Sequence, residues 1–197
     1  MFRNIKGQAG ALKILKLALE NNRVAQAYLF HGSDGVGKFT TALYFGMALN
    51  CLSKSEFRPC GVCASCRKFM ALDHPDLIYL FPTPNLGLNL DGEITKSEFI
   101  PEYAGYIRNK IETPWEDYQF SAKIMIRKES MSWLIKRLNL SSYEASHRIC
   151  IIEDADMMNT ETANAFLKTL EEPPESTVII LTTDNLAKLL PTIVSRC

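Results

Sequence analysis

The chain has 197 residues, 47% of them apolar, enough for one substantial core with room for a small unit inserted into it. Lys plus Arg and Asp plus Glu balance at 22 each, which excludes a global positive field drawing the chain alone onto nucleic acid, so any DNA contact must be local or shared. No apolar run approaches the ~18 residues of a bilayer span, and Met1-Phe2-Arg3-Asn4-Ile5-Lys6 lacks the order of a signal peptide, so a cytoplasmic chain without a membrane partner is expected.

Taken in order, Ala11, Leu12, Leu15, Ala18 and Leu19 stand at helical spacing between Ala9 and Glu20, and Asn21-Asn22 offers a stop. Ala27-Tyr28-Leu29-Phe30 reads as a buried strand running into a glycine loop, and Phe39 to Leu49 is helical again. Asp76 to Phe81 is a second candidate strand. Residues 82–118 carry Pro82, Pro84, Gly87, Gly92, Pro101, Gly105 and Pro114, which predicts an irregular insertion with one short helix. Helical periodicity returns from Met131 to Leu140, then Arg148 to Glu153 reads as an apolar strand with an acidic exit. Asn159 or Thr160 caps a helix with Ala163, Phe166, Leu167 and Leu170 on one face, stopped by Pro173-Pro174. Thr177 to Leu181 is the final strand. Apolar strands alternating with amphipathic helices predict a parallel α/β sheet covered on both faces. Segment 105–148 holds eight Lys or Arg against five acids, which reads as an ordinary solvated face.

The loop His31-Gly32-Ser33-Asp34-Gly35-Val36-Gly37-Lys38-Phe39-Thr40 matches G-x-x-x-x-G-K at Gly32, Gly37 and Lys38 and breaks the pattern at Phe39. In an intact loop, backbone N–H groups cradle phosphate, the lysine reaches the β/γ-phosphates, and a Ser or Thr hydroxyl holds Mg²⁺. Phe39 cannot ligate a metal, and Thr40 sits about 100° further round the helix. The anion half of the loop survives and the magnesium half is broken; tight strand–helix packing is the alternative reading. The strand end Ile151-Ile152-Glu153-Asp154 lies where such a protein needs an acid for its metal shell.

Cys51, Cys60, Cys63 and Cys66 stand at C-x8-C-x2-C-x2-C, with Phe57-Arg58-Pro59 as a bend in the longer gap. In a reducing compartment six cysteines argue for metal or free thiols over disulfides. Four thiolates match a closed tetrahedral structural zinc site, with an iron–sulfur cluster or free thiols as alternatives. Cys150, inside an apolar strand, reads as a buried small residue.

These residues resemble the AAA+ subunits of the bacterial DNA polymerase III clamp loader, gamma/tau and delta-prime. The likeness runs over Ile5-Lys6-Gly7-Gln8, Ala27 to Lys38, the cysteine spacing, Ala163-Asn164-Ala165-Phe166-Leu167-Lys168-Thr169-Leu170-Glu171-Glu172-Pro173-Pro174, and Leu181-Thr182-Thr183-Asp184 to Ser195-Arg196-Cys197. The stretch Phe81 to Tyr118 has no counterpart in it.

The resemblance implies a P-loop AAA+ parallel sheet flanked by helices over 1–197, with an inserted small zinc module at 51–66. The 82–118 insertion is extra, and a lid and collar belong to a longer protein of which this chain is a fragment. It places Arg196 on the arginine finger that acts in trans in a neighbouring subunit, and Thr182 or Thr183 on the sensor near the γ-phosphate. Gly32, Gly35, Gly37, Lys38 and Thr40 fall on the nucleotide cradle. Glu153 and Asp154 fall on the usual Asp-Glu pair in reversed order, metal ligand and water-orienting base. The departures at Phe39 and Glu153-Asp154 favour the delta-prime branch: scaffold and finger donor, with weak or absent ATP/Mg²⁺ binding and hydrolysis. An active DNA-stimulated gamma/tau-type ATPase is the alternative. Implied partners are other subunits of a hetero-oligomeric ring, the sliding clamp, and primed DNA through the assembled complex.

Overall fold

The computed structural model describes residues 5–53, 58–140 and 143–197; Met1 to Asn4 and Phe57, used in the sequence reading, lie outside the described residues. In chain order the elements are α1 (Ala9–Glu20), β1 (Ala27–His31), α2 (Lys38–Leu49), α3 (Ala64–Met70), β2 (Leu77–Leu80), α4 (Ile100–Glu112), α5 (Lys128–Leu138), β3 (Arg148–Ile152), α6 (Thr160–Glu171), β4 (Thr177–Thr183) and α7 (Pro191–Val194).

The four strands form one parallel sheet in the order β1-β4-β3-β2. Side chains on a strand alternate between faces, and here both faces are covered, so β3 and β4 are buried throughout, with apolar residues from Ile149 to Ile152 and from Val178 to Leu181. Ile149, Ile151, Val178 and Ile180 face the layer of α1, α2 and α3, whereas Cys150, Ile152, Ile179 and Leu181 face the layer of α5, α6 and α7. Phe45 on α2 and Phe166 on α6 are fully buried anchors of the two layers; truncating either to Ala would cost about 3–5 kcal/mol.

Two local devices set how tightly the layers approach. Gly46 brings α2 so near the sheet that an added Cβ would stand 2.9 Å from Ile149 Cγ2. Asp76, fully buried just before β2, accepts backbone N–H bonds from Tyr143 (2.7 Å), Glu144 (2.9 Å) and Ala145 (2.9 Å), with the Arg148 guanidinium 3.7 Å away. Burial alone would raise its pKa, but these N–H donors and Arg148 hold the carboxyl below its usual range. The chain entering β3 is thereby fastened to the start of β2.

The helix over Thr160–Glu171 is capped as expected, Asn159 Oδ1 accepting the Thr162 N–H at 2.8 Å. Three elements differ from the sequence reading. β4 continues past Leu181 to Thr183, because its last two threonines are also buried and paired to β1. The helix α4 inside 82–118 has 13 residues, longer than the one short helix expected there, with Pro101 in its first turn, where a missing N–H costs nothing. α3 was not expected: Cys63 caps it, its sulfur accepting the Cys66 N–H at 3.4 Å, a role the sequence signals assign to Ser, Thr, Asp or Asn. No described helix is long and apolar enough to cross a membrane.

Candidate functional site

In an open parallel sheet the ligand crevice lies beyond the carboxyl ends of the strands, where the strand order reverses. The insertion of β4 between β1 and β3 brings the exits of these three strands to one edge: Gly32 after β1, Glu153 and Asp154 after β3, Asp184 after β4. A cavity of about 440 Å³ opens there. Its walls are the glycine loop and first turn of α2, the acidic exit of β3, and the segment from α4 onward through Tyr106, Lys110, Trp115 and Tyr118.

Gly35, Gly37, Lys38, Thr40, Glu153 and Asp154, singled out from the sequence, all line this cavity. Gly37 adopts a left-handed conformation (φ 86°) as it caps α2, which turns the loop into the helix. Lys38 Nζ donates to the carbonyls of Gly32 and Ser33, both at 3.0 Å, and so closes its own loop. Gly32, Thr182 and Thr183 do not line the cavity. Thr182 Oγ1 accepts the Asp154 N–H at 3.3 Å, and Thr183 Oγ1 donates to Asp156 Oδ1 at 2.7 Å, so both buried hydroxyls shape the acidic turn from beneath. Asp154 itself is a non-glycine residue in the left-handed region (φ 48°). Burial, then the charges of Glu153 and Asp156, push its carboxyl up to about 6.

The partners that surround Glu153 were not singled out from the sequence. Glu153, 8% exposed, has both oxygens engaged: Oε2 accepts from the Tyr79 hydroxyl and from Tyr106 at 2.9 Å, and Oε1 accepts from Lys110 Nζ at 2.6 Å. Burial, then the Glu153 charge, raises the pKa of both phenols, which keeps them protonated as donors. Phe39 takes the position of the metal-binding hydroxyl, buried against Tyr79 (ring centroids 5.0 Å) with Lys110 Nζ 4.6 Å above its ring. The signal for these partners was Tyr103, Tyr106 and Lys110 at i, i+3 and i+7, one face of a helix.

A magnesium ion prefers near-ideal octahedral oxygen coordination, and these residues do not fit one. The hydroxyl ligand is replaced by a ring, three of the roughly four lone-pair sites of Glu153 are taken, and an ammonium already neutralises the carboxylate. The cavity also opposes a polyanion: seven carboxylates line it (Asp34, Glu116, Asp117, Glu153, Asp154, Asp156, Asp184) against the ammonium groups of Lys38, Lys110 and Lys188.

A second site lies on the α2/α3 side. The sulfurs of Cys51, Cys60, Cys63 and Cys66 all lie within 4.8 Å of one another. Tetrahedral zinc–thiolate geometry needs sulfurs roughly 3.8 Å apart, and Cys60 and Cys66 stand at 4.0 Å. Backbone N–H groups of Cys60, Cys63 and Cys66 point at the sulfurs of Cys51, Cys60 and Cys63, each at 3.4 Å. Such donors favour thiolates; the N–H groups of Val62 and Cys63 pull the Cys60 thiol down to about 6. The donor set can hold one soft cation with no open position. Cys150 is fully buried in β3, away from this cluster.

Arg196, beyond α7, does not line the cavity. Its Nε donates to Glu171 Oε1 at 2.6 Å and its Nη1 to the Thr192 carbonyl at 2.7 Å, so the guanidinium rests on the end of α6.

A parallel sheet whose glycine loop and acidic strand exit meet across one cavity defines an α/β domain on the plan of nucleotide-pocket proteins. The chain belongs to the family described as DNA polymerase III, delta subunit, which matches residues 7–197. It is 29% identical over 190 residues to DNA polymerase III subunit delta′ of Bacillus subtilis, covering 96% of this chain and 46% of that one. It is 31% identical over 195 residues to the gamma/tau subunit of Mycobacterium tuberculosis, covering 99% of this chain and 27% of that one. Among solved structures, a gamma subunit-related protein of Thermotoga maritima shares the fold with TM-score 0.53 at 24% identity, over 94% of this chain and 43% of that one. The chain thus spans less than half the length of these relatives.

Proposed function

We propose that the chain is the nucleotide-domain part of a delta-prime-type clamp-loader subunit of the replicative DNA polymerase III, in the cytoplasm. It serves as scaffold and finger donor within a hetero-oligomeric ring that sets a sliding clamp on primed DNA. The observation that carries this reading is the pairing of Lys110 with Glu153 beside Phe39: the loop keeps its lysine, but the acid that would hold a metal is neutralised from within. Asp154 then has no metal-bound water to orient, and the acidic lining disfavours the phosphate chain. Arg196 supports the finger role by its exposed position and its fixed charge, which a neighbouring subunit's nucleotide would meet as a planar donor fork. Cys51, Cys60, Cys63 and Cys66 hold a structural zinc that stiffens the segment beside α3.

The test is isothermal titration of ATP and Mg²⁺ into the full-length protein, with loader reconstitution alongside. The reading expects no saturable heat from the subunit alone and normal assembly into the ring. DNA-stimulated hydrolysis by the isolated subunit, lost in Lys38→Ala, would overturn it in favour of a gamma/tau-type motor.

A further inference from the structure

The insertion does more than border the cavity. α4 is docked by rings: Phe81 stacks on Tyr106 at 4.1 Å and on Tyr103 at 5.5 Å, and Phe120 stacks on Tyr106 at 5.4 Å. Gly105 lets Tyr118 seat against the helix, since a Cβ there would lie 2.6 Å from its hydroxyl. This fixes the backbone from which Lys110 reaches Glu153, and the two side chains are only 13% and 11% exposed.

We infer that Lys110 is a built-in replacement for the divalent cation: a fixed ammonium, delivered by the 82–118 insertion, that makes the acidic side of the cavity permanently metal-free. The inference rests on reading the cavity as a nucleotide-type pocket and goes beyond it by naming the residue that closes it. Three facts converge. The ammonium sits 2.6 Å from the carboxylate oxygen, where a second cation would be repelled. The two tyrosines occupy the other oxygen as donors, a role a metal-binding carboxylate could not spare. Phe39, which removes the hydroxyl ligand, provides the ring over which the ammonium lies, so loss of the metal ligand and gain of the lysine are one arrangement. A carboxylate this buried needs compensation, and the chain supplies it without a cofactor.

The experiment uses the zinc-loaded chain, with Lys110→Met, Glu153→Gln and the double variant. Mn²⁺ is followed by its paramagnetic resonance signal, and melting is compared in Mg²⁺ and in sodium salt of equal ionic strength. The unsubstituted chain is expected to leave the Mn²⁺ signal at full intensity and to melt identically in both salts. Lys110→Met should lower the melting temperature by roughly 10 °C, the scale for stripping one partner from a buried pair in a domain of this size. The double variant should regain more than half of that loss, because neither charge then remains. If Lys110→Met does not fold, folding of the double variant reports the same coupling as a rescue, and its failure to fold alongside a folded Glu153→Gln would overturn the inference. Mn²⁺ uptake by the unsubstituted chain that Glu153→Gln abolishes, or equal destabilisation of Lys110→Met and the double variant, would overturn the inference. Neither readout involves a loader partner, so failure to join a clamp loader would leave this result standing, and the converse holds.

Discussion

Arg196 and Glu171 form an ion pair at the end of α6, Nε to Oε1 at 2.6 Å. The pair holds the guanidinium on its own chain, at a surface where such bridges contribute about 0–1 kcal/mol. Arg196→Ala should therefore leave the melting temperature within roughly 3 °C of the unsubstituted value. In a reconstituted loader the same change should depress ring ATPase by at least about tenfold, given the 10³–10⁵ effects of arginine fingers in GTPases. An unchanged ring rate with normal assembly would remove the finger role.

Glu171→Gln separates holding from acting. It keeps the shape of the resting contact and removes its charge. Folding should be unaffected, and loader ATPase should be retained or rise, since Arg196 leaves its resting position more readily. A fall in ATPase as large as that of Arg196→Ala would mean that Glu171 itself is required in the ring.

Asp154 gives a pH dependence of definite sign. Its folded-state carboxyl is raised to about 6 from 3.8, with burial as the first cause, so the protonated form is favoured by folding. Its contribution is fully present below the unfolded value and is lost as pH rises through about 6. Asp154→Asn, which tolerates the left-handed backbone and carries no charge, should stabilise the chain at neutral pH by about 1–3 kcal/mol. The gain should fade as pH falls toward 4, and melting curves across this range measure it.

Gly46→Ala sets two effects against each other. A helix interior gains about 1 kcal/mol from the change. Overpacking a filled core costs about 1–3 kcal/mol, and three carbons of the buried Ile149 lie within 3.4 Å of the new methyl. The net effect should be destabilising, visible as a lower denaturant midpoint with an unchanged slope.

For the cysteines, metal analysis under reducing conditions should find about one zinc per chain, and Cys63→Ala should abolish it and lower the melting temperature. A content near zero would contradict the ligand set.

Much of this was legible in the residues because it depends on local spacing. The runs at Tyr28, Ile151 and Ile179 are apolar and short, and the helices around Phe45 and Phe166 are periodic, so the parallel α/β sheet follows from pattern alone. The loop from Gly32 to Lys38 and the four cysteines are motifs whose members are neighbours in sequence. The environment of Glu153 was not legible, because Tyr79, Tyr106 and Lys110 come from β2 and α4 and meet only once the sheet is assembled. The density of proline and glycine across 82–118 also masked the length of a helix that tertiary ring stacking holds in place. Local rules assign α3 no start, since a sulfur rather than an oxygen caps it.

The pairing of Lys110 with Glu153 has a consequence for how such a pocket can change over generations. Reinstating a hydroxyl at Phe39 gains nothing while the ammonium remains, and losing the ammonium strands a buried carboxylate while the ring remains. The two steps fall at separate positions of the sequence and each is harmful or useless first, so the arrangement works as a ratchet: easier to enter than to leave.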